Sequence, residues 1–187
     1  TRRSSDLRKH LKEQFEITDK ESAIRAIKAF LNDNVQWQYE QFLGFWRDEP
    51  QFDLEELDEK ARLFFEGCKT FAKQFYPFLK EQGFAGFDYG ECVRMIRECY
   101  AVDILDRETA DMMLQDIGTR AFRQFDSWEE YALSYLCGGC YFMFRSSGMN
   151  NDYGSMMFQN ELQAIEKLFF ENRTNVWNRY SWLEGKK

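Results

Sequence analysis

A single histidine, His10, leaves imidazole-based catalysis with almost nothing to work with, and its place in a short charged segment marks it as a surface residue. Two prolines in 187 residues leave long stretches free of helix breakers. No alternating apolar and polar run long enough for a strand appears, and no internal repeat, low-complexity segment or linker divides the chain. The longest uncharged run, Tyr131 to Phe144, is shorter than the ~20 residues a membrane helix needs and contains two glycines, so no membrane partner is expected. Arg2 and Arg3 are followed by Asp6, Arg8 and Lys9 instead of an apolar run, which argues against a secretory or twin-arginine signal. There is also no surplus of basic charge. With 25 Lys and Arg against 32 Asp and Glu the net charge is -7, and carboxylates are interspersed among Arg94, Arg97, Arg107, Arg120 and Arg123, so nucleic acid is a poor partner.

What is present is ring. Aromatics make up 18% of the residues, with 19 phenylalanines, and a chain this long buries roughly 70% of its unfolded surface as one domain. The five cysteines are an odd number in a chain that needs no staples, which points to reduced thiols and a cytoplasmic setting.

Apolar spacing and cap residues predict an all-α fold, a single-domain orthogonal helical bundle of about six to eight helices. Its expected parts are an N-terminal hairpin and aromatic segment over 1–50, central helices over 53–145, and a C-terminal helix and tail over 155–187. Ser5 is expected to cap a helix reaching Phe15, and Thr18 with Glu21 to form a capping box. From Asp53 apolar residues recur at steps of three and four as far as Phe75, with Pro77 ending or kinking that helix and Gly83 and Gly86 breaking the chain before the central region. Asp88 with Glu91 and Ser127 with Glu130 read as two more capping boxes, and Asp106 as a cap. Cys92, Met95, Ile96, Cys99 and Tyr100 are expected to line one face of the helix after Asp88, and Ala110, Met113, Leu114, Ile117, Ala121 and Phe125 to form the buried stripe of the helix after Asp106. Ser146 to Gly154 reads as a loop, Ser155 starts the last clear helix, and a tail with Trp177, Tyr180 and Trp182 is expected to dock back.

From Phe87 to Phe142 the chain resembles a bacterial family of unknown function, the YbeU and YbeR type. The likeness rests on Phe87-Asp88 continuing through Arg97 and Tyr100, and on Ser127-Trp128-Glu129-Glu130-Tyr131 followed by Tyr135-Leu136-Cys137-Gly138. The Ile17-Thr18-Asp19 turn is similar as well. Glu91 stands where that pattern has an arginine, and Gly138-Gly139 where it has a Gly-Arg pair. The resemblance implies no reaction.

The chemistry that remains is thin. Cys137-Gly138-Gly139-Cys140 is a C-x-x-C placed late in a helix, away from the dipole that activates a thiol, and Cys137 and Cys140 are the weak metal candidates, with Cys92 and Cys99 as possible companions. Neighbouring carboxylates such as Glu55-Glu56 point about 100° apart on a helix and cannot flank one bond. Asp88, Arg97, Trp128, Tyr131 and Tyr135 are candidates for a polar pocket, with the alternative that they begin helices and seal interfaces. Trp37, Tyr39, Phe42, Phe45 and Trp46 carry more rings than one helix face buries. Trp37, Tyr39, Phe42 and Trp46, with Glu55, Glu56 and Glu59, therefore form the candidate contact surface for another, basic protein. The expectation is a non-enzymatic protein-binding module, an acidic cognate inhibitor or chaperone, with no cofactor. The alternative is a hydrolase or transferase with a pocket around Asp88 and Arg97.

Overall fold

The structure is a computed structural model that describes residues 2–47, 54–148, 151–167, 171 and 176–182. Among these the chain is all-α. The helices are α1 (Arg2–Phe15), α2 (Lys20–Asp33), α3 (Val35–Arg47), α4 (Glu59–Leu79), α5 (Ala85–Ala101), α6 (Arg107–Gln124), α7 (Trp128–Ser146), α8 (Asn151–Glu166) and the single turn α9 (Val176–Arg179), with a 3-10 turn at Leu54–Glu56. None of the described helices is long and apolar enough to cross a membrane.

Helix α5 is the hub, packed against α1, α2, α3, α6 and α7, while α7 in turn carries α4 and α8. Two main cores result. One, between α3, α4, α7 and α8, is built of rings: Phe84 stacks on Tyr141 at 5.1 Å and Phe71 on Phe144 at 5.1 Å. The other, between α1, α2, α5 and α6, is aliphatic and sulfur-bearing, with Leu11, Ile27, Met95, Ile96 and Ile117 at its centre. The predicted stripe on α5 is buried at Cys92, Met95, Ile96 and Cys99, whereas Tyr100 is exposed.

Glycine sets the closest crossing. A Cβ on Gly86 would stand 2.8 Å from the Tyr131 carbonyl oxygen and 2.8 Å from the Tyr135 amide nitrogen, and one on Gly90 would enter the Tyr135 ring. Gly86 and Gly90, one turn apart on α5, therefore let α5 and α7 meet backbone to backbone, as small residues do at tight helix contacts. Gly138 does the same from α7 toward Phe84 and Phe87. Gly86 was expected to interrupt the chain and instead lies inside a helix.

Several helix starts fall a residue or more from the predicted ones. The cap of α2 is Asp19 paired with Ser22, not Thr18 with Glu21. Helix α4 is capped by Asp58, so Glu55 and Glu56 belong to the preceding 3-10 turn, and Pro77 lies within the last turn of α4. Ser5 lies inside α1, and α8 begins at Asn151, four residues before the expected Ser155, which shortens the expected loop. Asp106 and Ser127 cap α6 and α7 as expected, through Thr109 N–H and Glu130 N–H. The Glu130 carboxylate, however, accepts from the Asp126 amide and the Gln82 side chain, not from Ser127.

Candidate functional site

Of the candidate pocket residues, Asp88 is the one that lies at the start of α3. Asp88 is 1% exposed, and its two carboxylate oxygens accept from the Asn34 side-chain amide at 2.7 Å and from the Gln36 backbone N–H at 2.9 Å. The Val35 backbone also donates to it. Asp88 thus caps a helix that is not its own, standing at the positive end of α3, whose free amides and dipole favour an anion. Asp88 and Glu91 do not form a capping box, because α5 already begins at Ala85 with no side-chain cap.

The rest of this junction is wired with equal density. Gln36 Oε1 accepts from the Phe84 amide at 2.6 Å, Tyr39 Oη donates to the Lys80 carbonyl at 2.7 Å, and the Ser134 hydroxyl donates to the Gly83 carbonyl at 2.7 Å while accepting from Gly86 N–H. Gly83, at φ +55, makes the turn beneath Gln36 and Tyr39 in a backbone region that costs an L side chain. Burial lifts the Asp88 carboxyl from its ordinary 3.8 to about 7, against the pull of the Gln36, Asn34 and Val35 donors.

Arg97 is not part of this arrangement. Nine residues along one helix amount to about 900°, so Asp88 and Arg97 face opposite sides of α5. Arg97 is exposed and borders two shallow cavities: one of 300 Å³ with Tyr100, Arg107 and Asp111, and one of 390 Å³ with Leu7, Arg94 and Glu98. The expected Asp88–Arg97 pocket is therefore absent as a geometric unit. Neighbouring Arg94 is held by Glu91 and Glu98, both at 2.9 Å.

Trp128 and Tyr131 belong to a third cluster. The tail docks there, as expected: Trp182 is 5% exposed, its indole N–H donates to the Phe125 carbonyl at 2.9 Å, and its ring meets Trp128 edge-on at 4.6 Å. Trp128 donates in turn to the Tyr180 carbonyl at 2.7 Å. Tyr135 lies against Gly90 and Phe87 in the α5–α7 interface, and burial raises the pKa of both the Tyr131 and Tyr135 phenols. These rings fill contacts between elements and do not line a shared cleft with Asp88.

Cys137 and Cys140 are buried in α7. Burial pushes both thiols up from the ordinary 9.0, Cys140 to about 12, and likewise Cys92 to about 12 and Cys99 to about 11. Thiols so held are poor nucleophiles. Among the described residues no group of three or more His, Cys, Asp and Glu side chains is placed to hold a metal ion.

The expected contact surface divides. Tyr39 and Phe42 are core residues, 0% and 3% exposed, because they lie on the face of α3 that meets α4 and Phe84. Trp37, on the other face, is 48% exposed. Glu55, Glu56 and Glu59 are exposed, and the side chains of Phe45 and Trp46 lie outside the described residues. Sequence reasoning missed a cleft between α2 and α6, 450 Å³ in volume and bordered by Leu31, Met112 and Met113. The signal for it was the pair of adjacent methionines on one helix, with Met112 beyond the predicted stripe.

No curated protein and no solved structure matches the chain. The family model described as "Protein of unknown function (DUF1266)" matches residues 10–182, and the chain belongs to that family of proteins of unknown function.

Proposed function

We propose that this chain works by binding another protein, one more basic than itself, and not by catalysis. One observation carries the reading. Among the described residues, the carboxyls with clearly shifted pKa values, Asp19, Asp88 and Asp106, are each spent on the N-terminus of a helix. Asp19 is lowered by Ser22, and Asp106 by Lys20 and then Thr109, while Asp88 is raised by burial. Shifted groups mark active sites when they open onto a cleft; none of these three borders the cavities described above.

The surface that remains for function is acidic and carries exposed rings. Trp37 on α3 and the carboxylates Glu55, Glu56 and Glu59 supply an anchor and a field that speeds encounter with a basic protein. In its concrete form the chain is a bacterial, cytoplasmic protein of the YbeU and YbeR type that neutralises or chaperones a cationic partner, as cognate inhibitors of toxins do.

Affinity capture from native extract tests this. A specific, basic partner should be retained at near-physiological salt, weakened by added salt, and lost with Trp37→Ala or with Glu55, Glu56 and Glu59 changed together to Lys. Recovery of no specific partner, or of one indifferent to both variants, overturns the reading.

A further inference from the structure

Helices α2 and α6 both lie on α5, and they are joined at their N-terminal ends by Lys20 Nζ and Asp106 Oδ2 at 2.6 Å. Further along, the two helices leave the 450 Å³ cleft between them. Its apolar lining is Ile27 and Leu31 from α2 and Met112, Met113 and Ile117 from α6. Ile27 and Ile117 are buried, while Met112 is 64% exposed, so the cleft has a fixed inner part and an adaptable rim. Methionine rims accept differently shaped partners because the side chain is unbranched and polarizable.

We infer that this cleft is a second docking surface, taking one amphipathic helix of a partner protein whose apolar stripe is flanked by carboxylates. Shape supports a helix: the lining residues recur at steps of three and four on two helices that both pack on α5 and border one cleft, and a third helix packs its ridge into such a groove. Charge supports the flanking carboxylates. Asp116, the acidic residue bordering the cleft, is held by Arg120 at 3.0 Å. Lys28, on the opposite rim, has no ion pair among the described residues, so the mouth is locally positive on a chain of net charge -7. A carboxylate on the incoming helix compensates it. This surface uses neither Trp37 nor the acidic turn, so it stands or falls separately from the proposed contact there.

The probe is a synthetic helical peptide with leucines at steps of three and four flanked by glutamates, titrated into the full chain carrying ¹³C-methyl methionine. A matched peptide with lysine in place of glutamate, and a medium-chain alkyl carboxylate, are titrated in parallel. The glutamate peptide should move the Met112 and Met113 methyls while leaving Met95, buried, and Met156, on α8, in place. It should bind at least about fivefold tighter than the lysine peptide, and Lys28→Glu should invert that order, with the milder Lys28→Gln abolishing the preference. Equal binding of the two peptides, movement of Met156 as large as that of Met112, or tighter binding of the alkyl carboxylate than of either peptide overturns the assignment.

Discussion

Replacing Asp88 tests the most unusual piece of this structure. Alanine at this position strands the Asn34 amide and the Gln36 and Val35 backbone N–H groups in a place that is 1% exposed. Each buried donor without a partner costs about 1–3 kcal/mol, and removing a buried charge offsets part of the total, leaving a net loss of about 2–4 kcal/mol. For a chain of this size that is a fall in Tm of roughly 5–12 °C. Asp88→Asn should cost less, about 1 kcal/mol, because its carbonyl still accepts from Gln36. The pH dependence separates the two forms further. Because burial sets the folded carboxyl at about 7, above its ordinary 3.8, the folded chain holds this proton more readily than the unfolded chain. The stabilisation from that proton is whole below 3.8 and is lost as pH rises through about 7. Asparagine does not titrate, so the stability advantage of the native chain over Asp88→Asn should shrink between about pH 4 and 7 and level off above that. Denaturant melts at several pH values measure this. An alanine variant as stable as the native chain refutes the assignment of Asp88 as the cap of α3, and an advantage that grows with pH refutes a carboxyl raised by burial.

Other expectations follow from packing. Gly86→Ala puts a Cβ 2.8 Å from backbone atoms of α7 and should cost about 2–3 kcal/mol, whereas Gly118→Ala meets nothing within 4 Å and should gain about 0.5–1 kcal/mol, both read from chemical denaturation. Trp182→Ala removes an indole that is 5% exposed and bonded to the Phe125 carbonyl, and should cost about 3–4 kcal/mol with a red-shifted emission from Trp128. The cysteines, raised by burial, should resist iodoacetamide in the folded chain at neutral pH and react on unfolding, as mass spectrometry would show; rapid alkylation of Cys137 or Cys140 in the native state would contradict their placement.

The fold was legible where the signal is local. Stripes at helical spacing gave the helices, Asp106 and Ser127 marked the starts of α6 and α7, and surplus tryptophan near the C-terminus pointed to a docked tail. The polar junction was not legible, for a physical reason. A cap is read against the helix that follows it, yet Asp88 caps α3, whose first amides lie more than 50 residues earlier in the chain. Gly86 misled in the same way, since a glycine that breaks a helix and one that admits a neighbouring backbone look alike in sequence. The aromatic segment showed that rings exceed one face without showing which face is turned inward, and so Tyr39 and Phe42 were grouped with Trp37. The opposition of Asp88 and Arg97 was available from helix geometry alone, because nine residues are two and a half turns.

The central claim is that the signature-like polar residues build helix starts, and that the function we propose rests on exposed Trp37 and on the exposed carboxylates Glu55, Glu56 and Glu59. The most direct test compares Asp88→Asn with the combined Glu55, Glu56 and Glu59 to Lys variant, both confirmed as folded by circular dichroism, in the same partner capture. The expected result is that Asp88→Asn, though less stable, retains the partner and the surface variant loses it. Loss of the partner by a folded Asp88→Asn, with the surface variant retaining it, would contradict the account.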